Sequence, residues 1–174
     1  FGGSLKKSMF VSKGYKVYEQ KNAINADLTL GEYFITKEKY EEMQRFAVKE
    51  GDILVSCSGT IGKTVIIPKD YEEGIINQAL LKITPSNEFR SEFIRYILMS
   101  SIMGNTYEGH GTGINNIEKN DVLKEISIPK PSLPEQDIII AKLKEIEAKI
   151  EKNKKKIEQG KKSMLKDFTD RLKG

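Results

Sequence analysis

Residues 55–64 read VSCSGTIGKT, and their last three, Gly62-Lys63-Thr64, end as a phosphate-binding loop ends. The full motif, G-x-x-x-x-G-K-[ST], needs a first glycine so that backbone N–H groups can wrap the phosphates. Counting back from Gly62, that position is Cys57. The loop must also open a helix, whose N-terminus adds N–H donors and a favourable dipole. Instead the chain continues as Val65-Ile66-Ile67-Pro68. Three β-branched residues favour a strand, and a proline there ends any helix in its first turn. The stretch therefore reads as strand (52–55), tight polar turn (56–63), strand (64–67), with Gly59 and Gly62 supplying positive φ.

Working outward, 174 residues fit one domain plus an appendage, and 38% hydrophobic content suffices for a core. One cysteine excludes an internal disulfide, and nothing has zinc-ligand spacing. The single histidine, His110, argues against His-rich metal sites and His-based triads. No apolar run approaches the ~20 residues of a membrane span, and the start lacks a signal peptide's apolar core. The expected location is the cytoplasm. The formal net charge is +4. Residues 134–174 hold 12 Lys+Arg and 8 Asp+Glu, which leaves 17 of each sign in 1–133. The surplus thus sits on the C-terminal segment, although residues 1–21 carry five Lys against one Glu. A DNA-binding face would have to come from local patches.

Pro129, Pro131 and Pro134 break the chain. Ser132-x-x-Glu135 then fits a capping box, with Pro134 in the first turn, where its missing N–H costs nothing. A helix is expected over 133–172, roughly 60 Å long. Ile139, Leu143, Ile146, Ile150, Asn153, Ile157, Gly160 and Met164 are spaced 4-3-4-3-4-3-4, an a/d seam sustained over three heptads. A helix with so narrow an apolar stripe needs a partner helix. Asn153 is the kind of seam residue that fixes register.

Upstream, 36–45 reads as a short helix with Thr36 as N-cap. Residues 48–55, 64–67 and 74–85 read as strands, the last with Asn77-Gln78 inside it. Residues 89–103 read as a helix with apolar residues at helical spacing. A glycine-rich loop, 104–117, precedes a helix or turn at 118–123 and a last strand at 125–128. The fold class expected is α+β: a mixed α/β domain followed by a single long C-terminal coiled-coil helix.

Several stretches stand in a fixed order: Gly51-Asp52-Ile53-Leu54 with 58–63, then Asn77-Gln78, then Gly109-His110-Gly111-Thr112-Gly113, then Pro131-Ser132-Leu133-Pro134-Glu135-Gln136 at the helix entry. In this order they resemble the specificity subunit of Type I restriction–modification systems over about residues 15–174. The resemblance implies a target-recognition domain (1–131) and a spacer or dimerisation helix (132–174). It implies a DNA reader with no catalytic residue, no metal and no cofactor of its own. Its implied partners are double-stranded DNA, methylation and restriction subunits, and a second specificity half paired antiparallel through the helix. Family members usually carry two recognition domains and two helices. This chain, with one of each, is expected to be a fragment or a half-subunit that homodimerises through its seam.

Base readers need donor and acceptor side chains on rigid turns, and phosphate contacts need Lys, Ser, Thr and backbone N–H groups. The candidate DNA-binding residues are Lys13, Lys16, Ser58, Gly59, Thr60, Lys63, His110, Thr112, Asn115 and Asn116, with Lys13, Lys16 and Lys63 on phosphates. Asn77-Gln78 is weighed as satisfying backbone groups of the sheet, and Glu135 as a cap. A DNA methyltransferase is disfavoured, since the chain has no Pro-Pro dipeptide and no G-x-G opening a helix. A coiled-coil adaptor that binds protein is the competing class.

Overall fold

The computed structural model of the chain describes residues 1–57, 60, 62–100 and 128–172. The chain divides into two compact units, Phe1–Leu133 and Pro134–Gly174.

The first unit is built on two three-stranded sheets. In one, β1 (Tyr15–Tyr18) lies between β2 (Phe34–Ile35), antiparallel, and β5 (Gly74–Ile76), parallel. In the other, β3 (Ile53–Ser56) lies between β4 (Thr64–Ile66) and β6 (Leu80–Ile83), both antiparallel. Alternation of side chains across each strand sorts the apolar residues. Val17, Ile35 and Ile75 face one way and pack with Met43 beneath the N-terminal segment and the short helix α2 (Lys37–Glu42). Tyr18 and Ile76 face the other way and join Leu54, Val65 and Leu80 of the second sheet, with Ala23 of α1 (Gln20–Asn25), in one shared core. That core locks the two sheets together. A further helix, α3 (Ser91–Met99), lies against β4 and buries Phe93, Ile94, Ile97 and Leu98.

Local chemistry explains the boundaries. Thr36 caps α2, its Oγ1 accepting from Lys39 N–H at 3.3 Å. Residues 48–52, expected to begin the β3 strand, form a turn instead. Gly51 sits at φ +81°, and the buried Asp52 carboxylate accepts from Lys49 N–H at 2.9 Å, folding the chain back on itself. The run 74–85, expected as one strand, is two. Asn77 is the switch between sheets: its Oδ1 accepts from Ala79 N–H at 3.1 Å and its carbonyl accepts from Leu80 N–H at 3.1 Å. Asn77-Gln78 therefore lies in a link, not inside a strand, and the Asn77 side chain serves the backbone. The expected elements at 118–123 and 125–127 lie outside the described residues.

The second unit is one helix, α4 (Leu133–Leu172), of 40 residues. It begins directly after Ser132 and carries Glu135 in its first turn. Beyond Leu143 its apolar seam is open to solvent. Ile146, Ile150, Ile157 and Met164 are 51, 48, 59 and 65% exposed. No helix among the described residues is long and apolar enough to cross a membrane.

Candidate nucleic-acid interface

The β3–β4 turn is organised by Ser56, a residue absent from the candidates drawn from the sequence. Ser56 is fully buried at the end of β3. Its hydroxyl donates to the Thr60 carbonyl at 2.5 Å and accepts from Lys63 N–H at 3.0 Å. Its backbone bonds both sides of the turn as well: Ser56 N–H donates to the Lys63 carbonyl at 2.9 Å, and Gly62 N–H to the Ser56 carbonyl at 3.0 Å. One serine thus ties the turn's tip to its exit. Gly62 takes φ +78°, the left-handed conformation a side chain would oppose. These bonds hold Thr60 and Lys63 exposed at a fixed place. A serine ahead of Gly59 and Gly62 is the only signal of this role that the sequence carries.

Cys57, next in the chain, is 5% exposed, and its Sγ–H points to the Val55 carbonyl at 3.4 Å. Burial pushes its thiol up to about 11. It therefore stays protonated at neutral pH and acts as a small apolar residue, not as a nucleophile.

Beside the turn lies a cleft of about 380 Å³. The C-terminal end of α1, the turn and the end of α3 enclose it, through Ala26, Gly62, Lys63, Thr64, Arg95 and Met99 among others. Two cations, Lys63 and Arg95, border it. The Arg95 guanidinium is steered by its neighbours, lying 4.5 Å from the Tyr96 ring centroid and donating to Met99 Sδ at 3.5 Å. Ala26 caps α1 at φ +50°, unusual for a residue with a Cβ.

Of the candidate DNA-binding residues, Thr60 and Lys63 come together on this turn. Lys13 is exposed in the turn that leads into β1, on the other sheet. Lys16 is not a surface residue. It is 2% exposed, and its ammonium donates to Glu72 Oε1 at 3.1 Å and to the Thr29 carbonyl at 3.3 Å. With its charge committed inside the fold, it cannot reach a phosphate, and it is withdrawn from the set. Glu72 is exposed, so losing the ammonium leaves its carboxylate in water, but the Thr29 carbonyl loses a donor. Lys16→Met is expected to cost about 1–2 kcal/mol in urea denaturation and to leave DNA affinity unchanged. A fall in DNA affinity with stability intact would restore Lys16 as a contact. Ser58, Gly59, His110, Thr112, Asn115 and Asn116 lie outside the described residues.

Residues 2–159 match the family model of the Type I restriction modification DNA specificity domain. Among solved structures, one similar chain comes from work on complex assembly and conformational transition of the type I R-M system. It is 20% identical, with a TM-score of 0.65, over 86% of this chain and 35% of that one. Another is the HsdS subunit from Thermoanaerobacter tengcongensis, 18% identical with a TM-score of 0.59, over 86% of this chain and 34% of that one. At this identity the likeness is one of fold. The chain spans about a third of the length of these solved chains. The comparison with curated proteins gives no match.

Proposed function

The chain belongs to the family of Type I restriction–modification DNA specificity domains, and on that premise we propose that its globular unit reads one half of a bipartite duplex target. In the same reading α4 pairs antiparallel with the helix of a second specificity half, a second copy of this chain, and so sets the distance between half-sites. The pair presents the DNA to methylation and restriction subunits, which bring all the chemistry. The chain itself needs no cofactor and supplies no catalytic residue.

The observation that carries this reading is that the family match runs through the globular unit and on through most of α4. A protein-binding adaptor, its globular unit docking protein, would not call for a DNA specificity match across that unit. The turn chemistry agrees with it: an exposed hydroxyl and an exposed ammonium, held by the Ser56 hydrogen bonds, suit a groove edge and a phosphate. Lys13, Thr60 and Lys63 are the described candidates. Ser58, Gly59, His110, Thr112, Asn115 and Asn116 complete the set.

The test is selection from a random duplex pool by the purified chain, with its mass in solution recorded on the same sample. Two half-sites at fixed spacing, recovered by a dimer, are expected. A dimer that enriches no sequence, even with the methylation subunit added, would favour the adaptor. Lys63→Ala is expected to weaken binding evenly across sequences and to flatten the salt slope by about one. A changed sequence preference would instead make Lys63 a base reader.

A further inference from the structure

The seam of α4 contains enough information to fix how two copies meet. Resting on the helix pairing already proposed, we infer that two α4 helices pair antiparallel in one register, with Leu143 of each copy seated over Gly160 of the other.

The 4-3 spacing places Leu143, Ile150, Ile157 and Met164 at a, and Ile139, Ile146, Asn153 and Gly160 at d. Antiparallel helices stack a against d. A two-fold axis between residues 151 and 152 then pairs all eight positions at once. Leu143 meets Gly160, Ile150 meets Asn153, Ile157 meets Ile146, and Met164 meets Ile139. The layers span roughly 38 Å of helix. A shift of one heptad in one direction puts Asp167 on Leu143 and Arg171 on Ile139. A shift in the other puts Gln136 on Gly160 and moves Met164 off the helix onto Ser132. Only the middle register pairs the apolar set completely.

Shape agrees. Gly160 carries no side chain and a Cβ there would meet nothing within 4 Å, so the position is an open notch in a stripe that is apolar except at Asn153. Antiparallel pairing fills each notch with a leucine. Parallel pairing would set notch against notch. The two Asn153 amides fall on either side of the axis, roughly 4.5 Å apart along the helices, close enough to bond each other.

Flanking charges discriminate in the same direction. Antiparallel pairing sets Glu147 beside Lys154 of the other copy, with Lys149 facing Lys156. Parallel pairing gives one attraction, Lys142 with Glu147, against two repulsions, Lys149 with Lys154 and Lys156 with Lys161.

Disulfide trapping in the whole chain tests the register. Ile146→Cys with Ile157→Cys is expected to give a covalent dimer on mild oxidation, while neither substitution alone does so. Trapping by Ile157→Cys alone would mean parallel helices. Trapping by Ile139→Cys with Ile157→Cys, or by Ile146→Cys with Met164→Cys, in place of the expected pair, would mean a shifted register. Each result overturns the inference while leaving the pairing itself intact. A chain that is monomeric in sedimentation at every concentration would overturn the pairing and the register together. Gly160→Leu supplies a second measure. It is expected to weaken the dimer about tenfold or more while helix content holds or rises, because the notch is then overfilled. A stronger dimer would show that no side chain sits there.

Discussion

Asp52→Ala is expected to destabilise the globular unit by about 3 kcal/mol, measured as a fall in the urea midpoint at unchanged m. Asp52 is fully buried where three segments meet. Its Oδ1 accepts from Thr84 Oγ1 at 2.6 Å and its Oδ2 from Lys49 N–H at 2.9 Å, with the Lys82 ammonium 4.0 Å away. Its own backbone carbonyl accepts from Ile67 N–H at 2.8 Å. Removing the carboxylate leaves a backbone donor and a hydroxyl without partners and a cation without its counter-charge. Asp52→Asn keeps one acceptor and is expected to cost about half as much. Because the residue opens β3, loss of its anchor also loosens the hairpin that carries Thr60 and Lys63. A midpoint unmoved by Asp52→Ala would show that the network is redundant.

Gly74→Ala is expected to cost about 3 kcal/mol, read as a fall of several degrees or more in melting temperature. The position starts β5, paired in parallel with Lys16 of β1. A Cβ there would lie 2.1 Å from the Lys16 carbonyl oxygen and 2.8 Å from its carbon. Both are backbone atoms of a strand paired on both sides, so no rotamer change relieves the clash. β5 is the strand from which the chain crosses to the second sheet, so the damage spreads to both. Wild-type melting for Gly74→Ala would contradict the close approach of β1 and β5.

Helix α4 is legible in the sequence because its signals are local: a proline entry, a serine and a glutamate at capping-box spacing, and an apolar period repeated over three heptads. The β3–β4 hairpin is legible because a β-branched run ending in proline excludes the phosphate loop. Thr36 is legible as a cap. The features that escape the sequence are non-local. Residues 74–85 read as one mostly apolar strand, and a polar Asn77-Gln78 pair inside it does not by itself announce that the chain changes sheets halfway. Asn77 marks the change only through a hydrogen bond visible once the backbone is folded. Residues 48–52 look extended because they begin with valine, yet the Gly51-Asp52 pair turns the chain. Lys16 looks like a phosphate ligand because most lysines lie outside. Its partner, Glu72, is 56 residues away. Ser56 escapes for the converse reason: its task is to hold Thr60 and Lys63, and a positioning hydroxyl resembles any turn serine.

If α4 pairs and the chain reads DNA as proposed, the lysine surplus of the C-terminal unit sets the two against each other. Each copy brings about four net positive charges along this rod, so a pair concentrates about eight on two adjacent helices. Below about 0.1 M salt the screening length exceeds ~10 Å and these charges repel across the seam. Added salt would relieve that repulsion and strengthen the proposed pair, while the same ions would compete for DNA phosphates and weaken the proposed complex. Occupancy of a two-half-site duplex is therefore expected to pass through a maximum as ionic strength rises, whereas a single half-site shows only decline. A titration of both duplexes at fixed protein concentration would separate the two curves.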